Sequence, residues 1–220
     1  MFTHADPLSP PRPGVTDLWR MPLHGSAQAQ LAILSPAERA RHRRLRGPRG
    51  DRFALVHGAM RRVLARYMGC RPEAVALLAP AGRAPSVYGL CLSLSHCPDL
   101  ALLALSVDAV GVDVEQLAVA QDEDLAALAE LTLSPRERAA FQRVSEAQRA
   151  ATWLRAWTRR EAVVKARPGA LSDRAISELD VSETPVLDLA VQDLDVGPEH
   201  VAALASIAPT PHVVLREWDE

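Results

Sequence analysis

The sequence predicts an α+β protein, internally duplicated as a pseudo-dimer, in which each half packs a long helix on a small, mainly antiparallel sheet. Three observations lead to that reading. The segment WLRAWTRREAVVK (153–165) has no proline or glycine and is rich in Ala, Arg and Leu, which predicts a helix. Apolar runs at 90–95, 99–106 and 109–115, parted by turn residues, predict three strands. Finally, LSPRERAAFQRV (133–144) repeats LSPAERARHRRL (34–45) at an offset of 134 − 35 = 99 residues, with the same proline and the same S-x-x-E capping box. Carried forward without a gap, that offset lays a helix at 52–69 over one at 151–169. It pairs Gly58 with Trp157, Arg61 with Arg160, Arg62 with Glu161 and Arg66 with Lys165. The runs LALLALS (100–106) and HVAALAS (200–206) then correspond within about a residue. A period of this length is too long for a solenoid unit and implies two halves, 15–107 and 108–220. Chance likeness of two good capping boxes is the alternative.

Taken in order, residues 1–14 read as a disordered or loosely attached leader and 15–23 as a first strand. Ser35 caps a helix that has Pro36 at its first position and Glu38 closing the box. Gly47, Pro48 and Gly50 are expected to break it, and an amphipathic helix at 52–69 ends on Gly69. A Pro/Gly loop at 80–85 precedes the three strands. The acidic, Ala-rich stretch 117–131 reads as a solvated helix or as part of a docking face.

Size and composition narrow the function classes. The chain of 220 residues can bury a core without disulfides or metal staples. A formal charge of −2 excludes a polyanion binder that works by overall charge. The three cysteines, Cys70, Cys91 and Cys97, form no CxxC pair, and an odd count argues for reduced thiols rather than a secreted framework. The start of the chain, with Asp6 and several prolines, lacks signal-peptide layout, and no apolar run is long enough to span a bilayer. A cytoplasmic, monomeric protein without membrane or nucleic-acid partners is expected.

Candidate chemistry gathers at a few positions. Trp153, Trp157, Glu161 and Lys165 follow at four-residue steps and share one helix face. Read plainly, that is a packed Trp pair beneath a surface ion pair. In GVDVE (111–115), Asp113 and Glu115 alternate with valines, so both carboxylates leave the same face of a strand. At about 6–7 Å they repel by roughly 2–3 kcal/mol at an effective dielectric near 20. A hard divalent ion such as Mg²⁺ would turn that repulsion into a site, with Glu161 as third carboxylate; a solvated strand face is the other reading. His96 ends the run LSLS, where a side chain points into a cleft or makes a structural hydrogen bond. Ser95 lacks the GxSxG elbow of a hydrolase nucleophile, and Cys91, His96 and Cys97 lack zinc-ligand spacing. The basic run 39–52, including Arg41, Arg43, Arg44, Arg46, Arg49 and Arg52, suits a pocket for a phosphorylated small molecule or a solvated surface; a nucleic-acid patch is a further reading, against which stand the lack of a flanking aromatic set and the acidic remainder of the chain. Gly82 and Arg83, in the loop, offer a further phosphate contact.

The order LSLSHC (92–97), GVDVE, then WTRREAVVK (157–165) about forty residues later resembles the signature of the 4′-phosphopantetheinyl transferases, in their long, duplicated class. The resemblance covers residues 34–169 and implies coenzyme A bound between two α+β halves, with Mg²⁺ as cofactor. By that resemblance Asp113, Glu115 and Glu161 match metal ligands, and Glu161 also matches the base for the serine of a carrier protein. Lys165 matches a pyrophosphate contact, Ser95 and His96 a phosphate-contacting pair, and Trp157 the aromatic that supports the metal helix. Arg41 and Arg44 match positions near the 3′-phosphate, and Arg83 stands where the family has the lysine of a Gly-Lys-Pro loop, here GRAP with an additional Ala84. The chain departs from the family in Arg160 for Lys, Ser93 for Asn, and Ala54 for an arginine, with Arg52 nearby. The activity implied is transfer of phosphopantetheine from coenzyme A to an acyl, peptidyl or aryl carrier protein, as in secondary-metabolite biosynthesis. Another Mg²⁺-dependent phosphotransferase or phosphohydrolase is the alternative, followed by a basic-patch nucleic-acid-binding protein.

Overall fold

A computed structural model of the chain describes residues 8–78, 84–120, 124–169, 176 and 179–218. In chain order the elements are β1 (Val15–Pro22), α1 (Ala27–Gln30), α2 (Pro36–His42), α3 (Pro48–Met68), β2 (Ser86–Val87), β3 (Leu90–His96), β4 (Leu100–Ser106), β5 (Val110–Gln116), α4 (Leu125–Thr132), α5 (Pro135–Arg143), α6 (Glu146–Ala166), β6 (Ala190–Leu194), β7 (His200–Ser206) and β8 (His212–Glu217). The strands form two sheets, β2-β3-β4-β1-β8 and β5-β7-β6. Neighbours pair antiparallel except β1 and β8, which run parallel with Val15 opposite His212. The last strand therefore completes the first sheet. Among the described residues no helix is long and apolar enough to cross a membrane.

Period-2 alternation sorts the side chains into four layers. Trp19 and Met21 of β1, with Ala101, Leu103 and Leu105 of β4, pack on Val56, Met60, Val63 and Leu64 of α3. The opposite faces, Leu18, Leu100, Leu102 and Ala104, meet Val110, Val112 and Val114 of β5 and Leu204 of β7. Ala203 and Ala205 of β7 then face Ala162, Val163 and Ala166 of α6. The order is helix, sheet, sheet, helix. Every residue of β4 is buried, which explains its unbroken apolar run.

Helix boundaries follow the caps. The expected break at Gly47, Pro48 and Gly50 reduces to Gly47 alone: it caps α3 at φ 54°, Pro48 takes a first-turn position that needs no N–H, and Gly50 lies inside the helix. Gly69, at φ 58°, ends α3 in the left-handed conformation expected of it. Helix α6 starts earlier than its apolar pattern, at a Ser145–Gln148 capping box. In the stretch 8–14, Leu8 donates its N–H to the Arg66 carbonyl and packs against the α3 core.

Both S-x-x-E boxes form, on α2 and α5, and each glutamate does more than cap. Glu38 accepts from Arg61 at 2.6 Å, and Glu137 from Arg160 at 2.7 Å. Both arginines are 2 % exposed. Arg61 also donates to the Pro72 and Val75 carbonyls, while Arg160 donates to the Leu179 carbonyl and Glu137 accepts the Val181 N–H. Each pair thus locks a short helix and the following loop onto a long helix. Burial alone would raise the Glu38 pKa, but hydrogen bonds from His57, the Ser35 N–H and Arg61 lower it from 4.5 to about 2. A depressed carboxylate contributes stability that is present above its unfolded pKa and lost as pH falls through the folded one. We therefore expect acid denaturation to remove about 2 kcal/mol between pH 4.5 and pH 2 through this group. Urea titrations of Glu38→Gln across that window should show a correspondingly flatter pH dependence.

Candidate active site between the strand β5 and the helix α6

The face of β5 that carries Gly111, Asp113 and Glu115 looks at α6. It can do so because Gly111 has no side chain: a Cβ there would lie 1.9 Å from the Ala162 carbonyl oxygen and 2.6 Å from the Ala166 nitrogen. Strand and helix backbones touch, which brings the carboxylates under Glu161 and Lys165. From the first sheet, β3 adds two hydroxyls. Ser93 Oγ accepts the Val112 N–H at 3.0 Å, and Ser95 Oγ donates to Asp113 Oδ1 at 2.7 Å.

Asp113, whose side chain is 4 % exposed, also accepts from Lys165 Nζ at 2.6 Å, and Nζ lies 3.0 Å from Ser95 Oγ. Ser95, Asp113 and Lys165 therefore form one hydrogen-bonded cluster. The plain surface ion pair between Glu161 and Lys165 is not its arrangement, because the ammonium turns inward to Asp113. Around it the carboxyls crowd. Burial, then Asp113 and Glu161, raise the Glu115 pKa to about 7 against the opposing pull of Lys165. Burial and Asp113 likewise raise that of Glu161, while Lys165 and Arg160 oppose the shift. With all three carboxylates ionised, one ammonium leaves an uncompensated charge of −3 + 1 = −2.

Asp113 Oδ2 is buried without a hydrogen-bond partner among the described residues. An orphaned, hard oxygen beside two carboxyls pushed toward protonation fits a divalent cation with oxygen preference. The three carboxylates do not all come within 4.8 Å of one another; among the described residues the set that does is Cys97, Asp99 and His200.

His96 closes β3 at the rim. Its pKa is lowered first by desolvation and then by Arg52, His57 and Lys165, although a backbone bond at Cys97 opposes them. Those neighbours make the rim a positive field beside the acidic cluster. Arg41 lies over the Phe53 ring at 5.3 Å, and Phe53 stacks on His57 at 4.0 Å, so the basic run reaches this rim through α3. Arg44 is exposed just beyond α2. Gly82 and Arg83 lie outside the described residues. Trp153 and Trp157 stack at 5.6 Å, and Trp153 donates to Thr132 Oγ1 and packs on the core, so Trp153 anchors α6 to α4. A groove of about 550 Å³ bordered by Leu117, Leu125 and Ala150 lies beside the N-terminal part of α6 and includes none of these groups.

Sequence reading passed over three contributors. His57 looked like one more residue on an amphipathic helix, although it stands one turn after Phe53. Ser93 stands out in the sequence only as a departure from a family pattern, whereas it ties β3 to β5. Gly111 had a legible signal, a glycine inside a strand, which marks close backbone approach.

An acidic strand face tied to a helix lysine, set in an α+β architecture, has the donor set that divalent-metal and phosphate chemistry needs. The sequence profile of the ACPS 4′-phosphopantetheinyl transferase superfamily matches residues 109–206, which include Asp113, Glu115, Glu161 and Lys165. The chain is also 31 % identical over 179 residues to the 4′-phosphopantetheinyl transferase HetI of Nostoc sp. (strain PCC 7120), covering 76 % of this chain and 74 % of that protein. The chain belongs to the 4′-phosphopantetheinyl transferase superfamily and is an enzyme of that class.

Proposed function

We propose that the enzyme moves the 4′-phosphopantetheine arm of coenzyme A to a serine hydroxyl of an apo carrier protein, with Mg²⁺, and releases adenosine 3′,5′-bisphosphate. The observation that carries this reading is the Ser95–Asp113–Lys165 cluster, flanked by Glu115 and Glu161 with raised pKa values. Asp113, Glu115 and Glu161 would hold the metal ion, which supplies Lewis-acid neutralisation of phosphate charge when bound.

The chain's own residues then have separate tasks. Lys165 leaves Asp113 for a pyrophosphate oxygen, exchanging one anionic partner for another. Ser95 and His96 donate hydrogen bonds to the same phosphates at the rim, and the neutral imidazole favoured there retains one N–H for that purpose. Glu161 takes the proton of the carrier serine as the serine oxygen attacks the β-phosphorus. Arg41, Arg44 and Arg52 contact the 3′-phosphate and nucleotide, with Gly82 and Arg83 completing the phosphate contacts. Much of the rate then comes from positioning and charge stabilisation.

The same proposal takes residues 15–107 and 108–220 as two related halves, with the substrate between them in a cytoplasmic monomer. Support comes from the two buried pairs, since 137 − 38 = 99 and 160 − 61 = 99. Incubation with coenzyme A, Mg²⁺ and an apo carrier domain should add the mass of phosphopantetheine to the carrier serine. A folded enzyme that leaves every carrier tested unmodified, while turning over another phosphoanhydride, would replace this reading.

A further inference from the structure

The structure assigns a second, softer metal site to Cys97, Asp99 and His200, and we propose that it takes a borderline divalent ion of the Zn²⁺ class. The three ligand atoms lie within 4.8 Å of one another. They come from both sheets: Cys97 and Asp99 from the turn between β3 and β4, where the Cys97 N–H bonds the Leu100 carbonyl, and His200 from the start of β7. Cys97 Sγ is 3.4 Å from Asp99 Oδ1, and His200 Nε2 is 3.1 Å from that same oxygen. In a tetrahedral zinc site, bond lengths near 2.3 Å to sulfur and 2.0 Å to nitrogen or oxygen put S···O at about 3.5 Å and N···O at about 3.3 Å. The two separations to Asp99 match that frame to within about 0.2 Å, and the third, between Cys97 Sγ and His200 Nε2, lies within 4.8 Å.

Access is graded in the way a metal site requires. Cys97 is 3 % exposed and the His200 side chain 6 %, whereas the Asp99 side chain is 48 % exposed, which leaves one side open for entry and for a water as fourth ligand. A thiolate, an imidazole and a carboxylate select Zn²⁺ or Co²⁺ over Mg²⁺, which prefers oxygen alone. The site is thus chemically distinct from the carboxylates on β5. On binding, the Cys97 S–H bond breaks and its proton leaves to solvent, the Nε2 proton of a neutral His200 moves to Nδ1, and both lone pairs turn to the ion. The consequence is a clamp between the two sheets directly after His96.

The test uses the full chain stripped with a chelator, then held in millimolar Mg²⁺ so that hard-oxygen sites are filled. Titration with Co²⁺ should give one ion per chain, with a thiolate-to-cobalt charge-transfer band in the near ultraviolet, displaced by Zn²⁺. Cys97→Ser should lose the band, and Asp99→Asn and His200→Gln should each weaken binding about a hundredfold or more, as expected when a ligand rather than an outer partner is removed. Cys70→Ser and Cys91→Ser should behave as the wild type. No charge-transfer band in the folded wild type, or a band that survives Cys97→Ser, would overturn the site. Should Cys97→Ser fail to fold by circular dichroism, unchanged Co²⁺ affinity in both His200→Gln and Asp99→Asn would overturn it equally.

Discussion

Replacing Glu161 by glutamine should lower kcat/KM for carrier modification by at least about a thousandfold while the protein stays folded. General-base catalysis contributes about 10²–10⁴-fold, and this side chain is also proposed to neutralise metal charge. Glutamine keeps the shape and removes the charge. Stability should not fall with it, because in the substrate-free protein Glu161 is held near Asp113 against like-charge repulsion. Removing that repulsion should leave Tm unchanged or raise it by about 1–4 °C, on the scale of ~1 kcal/mol in a protein of this size. The measurement is holo-carrier formation by mass spectrometry alongside thermal unfolding by circular dichroism. Activity within about tenfold of wild type, in a variant of normal Tm, would remove Glu161 from the proton-transfer role.

Much of this site was readable because its parts are local. Asp113 and Glu115 share a face through the two-residue period of a strand, and Glu161 and Lys165 share one through the helical repeat, so no tertiary information is needed for either pair. The capping boxes at Ser35 and Ser134 were legible for the same reason, and the offset between them foreshadowed the Glu38–Arg61 and Glu137–Arg160 pairs. Sequence alone did not reveal how those local units meet. That β8 returns to pair with β1, some 200 residues earlier, depends on long-range pairing that no window reports. The inward turn of Lys165 to Asp113 depends on how closely β5 and α6 approach. Cys97, read beside Cys91 and His96, had no ligand partner; its neighbours in space are Asp99, two residues on, and His200, more than a hundred residues away. Spacing rules for zinc presume ligands clustered in sequence, and this set is assembled by two sheets.

The other large effect should come from a residue with no chemistry. In Gly111→Ala the new Cβ would be placed 1.9 Å from the Ala162 carbonyl oxygen and 2.6 Å from the Ala166 nitrogen, and both are backbone atoms of α6 that cannot rotate aside. Either β5 or α6 must move by more than an ångström. Overpacking of a buried contact costs about 1–3 kcal/mol, with more where backbone must shift, so we expect about 3 kcal/mol and a fall in Tm of roughly 6–12 °C. Activity should fall further than stability alone predicts. Ala162 and Ala166 each directly follow a proposed site residue, Glu161 and Lys165, so any retreat of the helix carries both away from Asp113. A displacement near 1 Å costs about a hundredfold in rate for an oriented reaction. Assays at a temperature where Gly111→Ala remains folded separate the two consequences: a drop in kcat of about that size with native-like circular dichroism identifies misplacement. A variant that keeps both Tm and kcat would mean that strand and helix do not meet as closely as described, and the route by which Lys165 reaches Asp113 would have to be sought elsewhere.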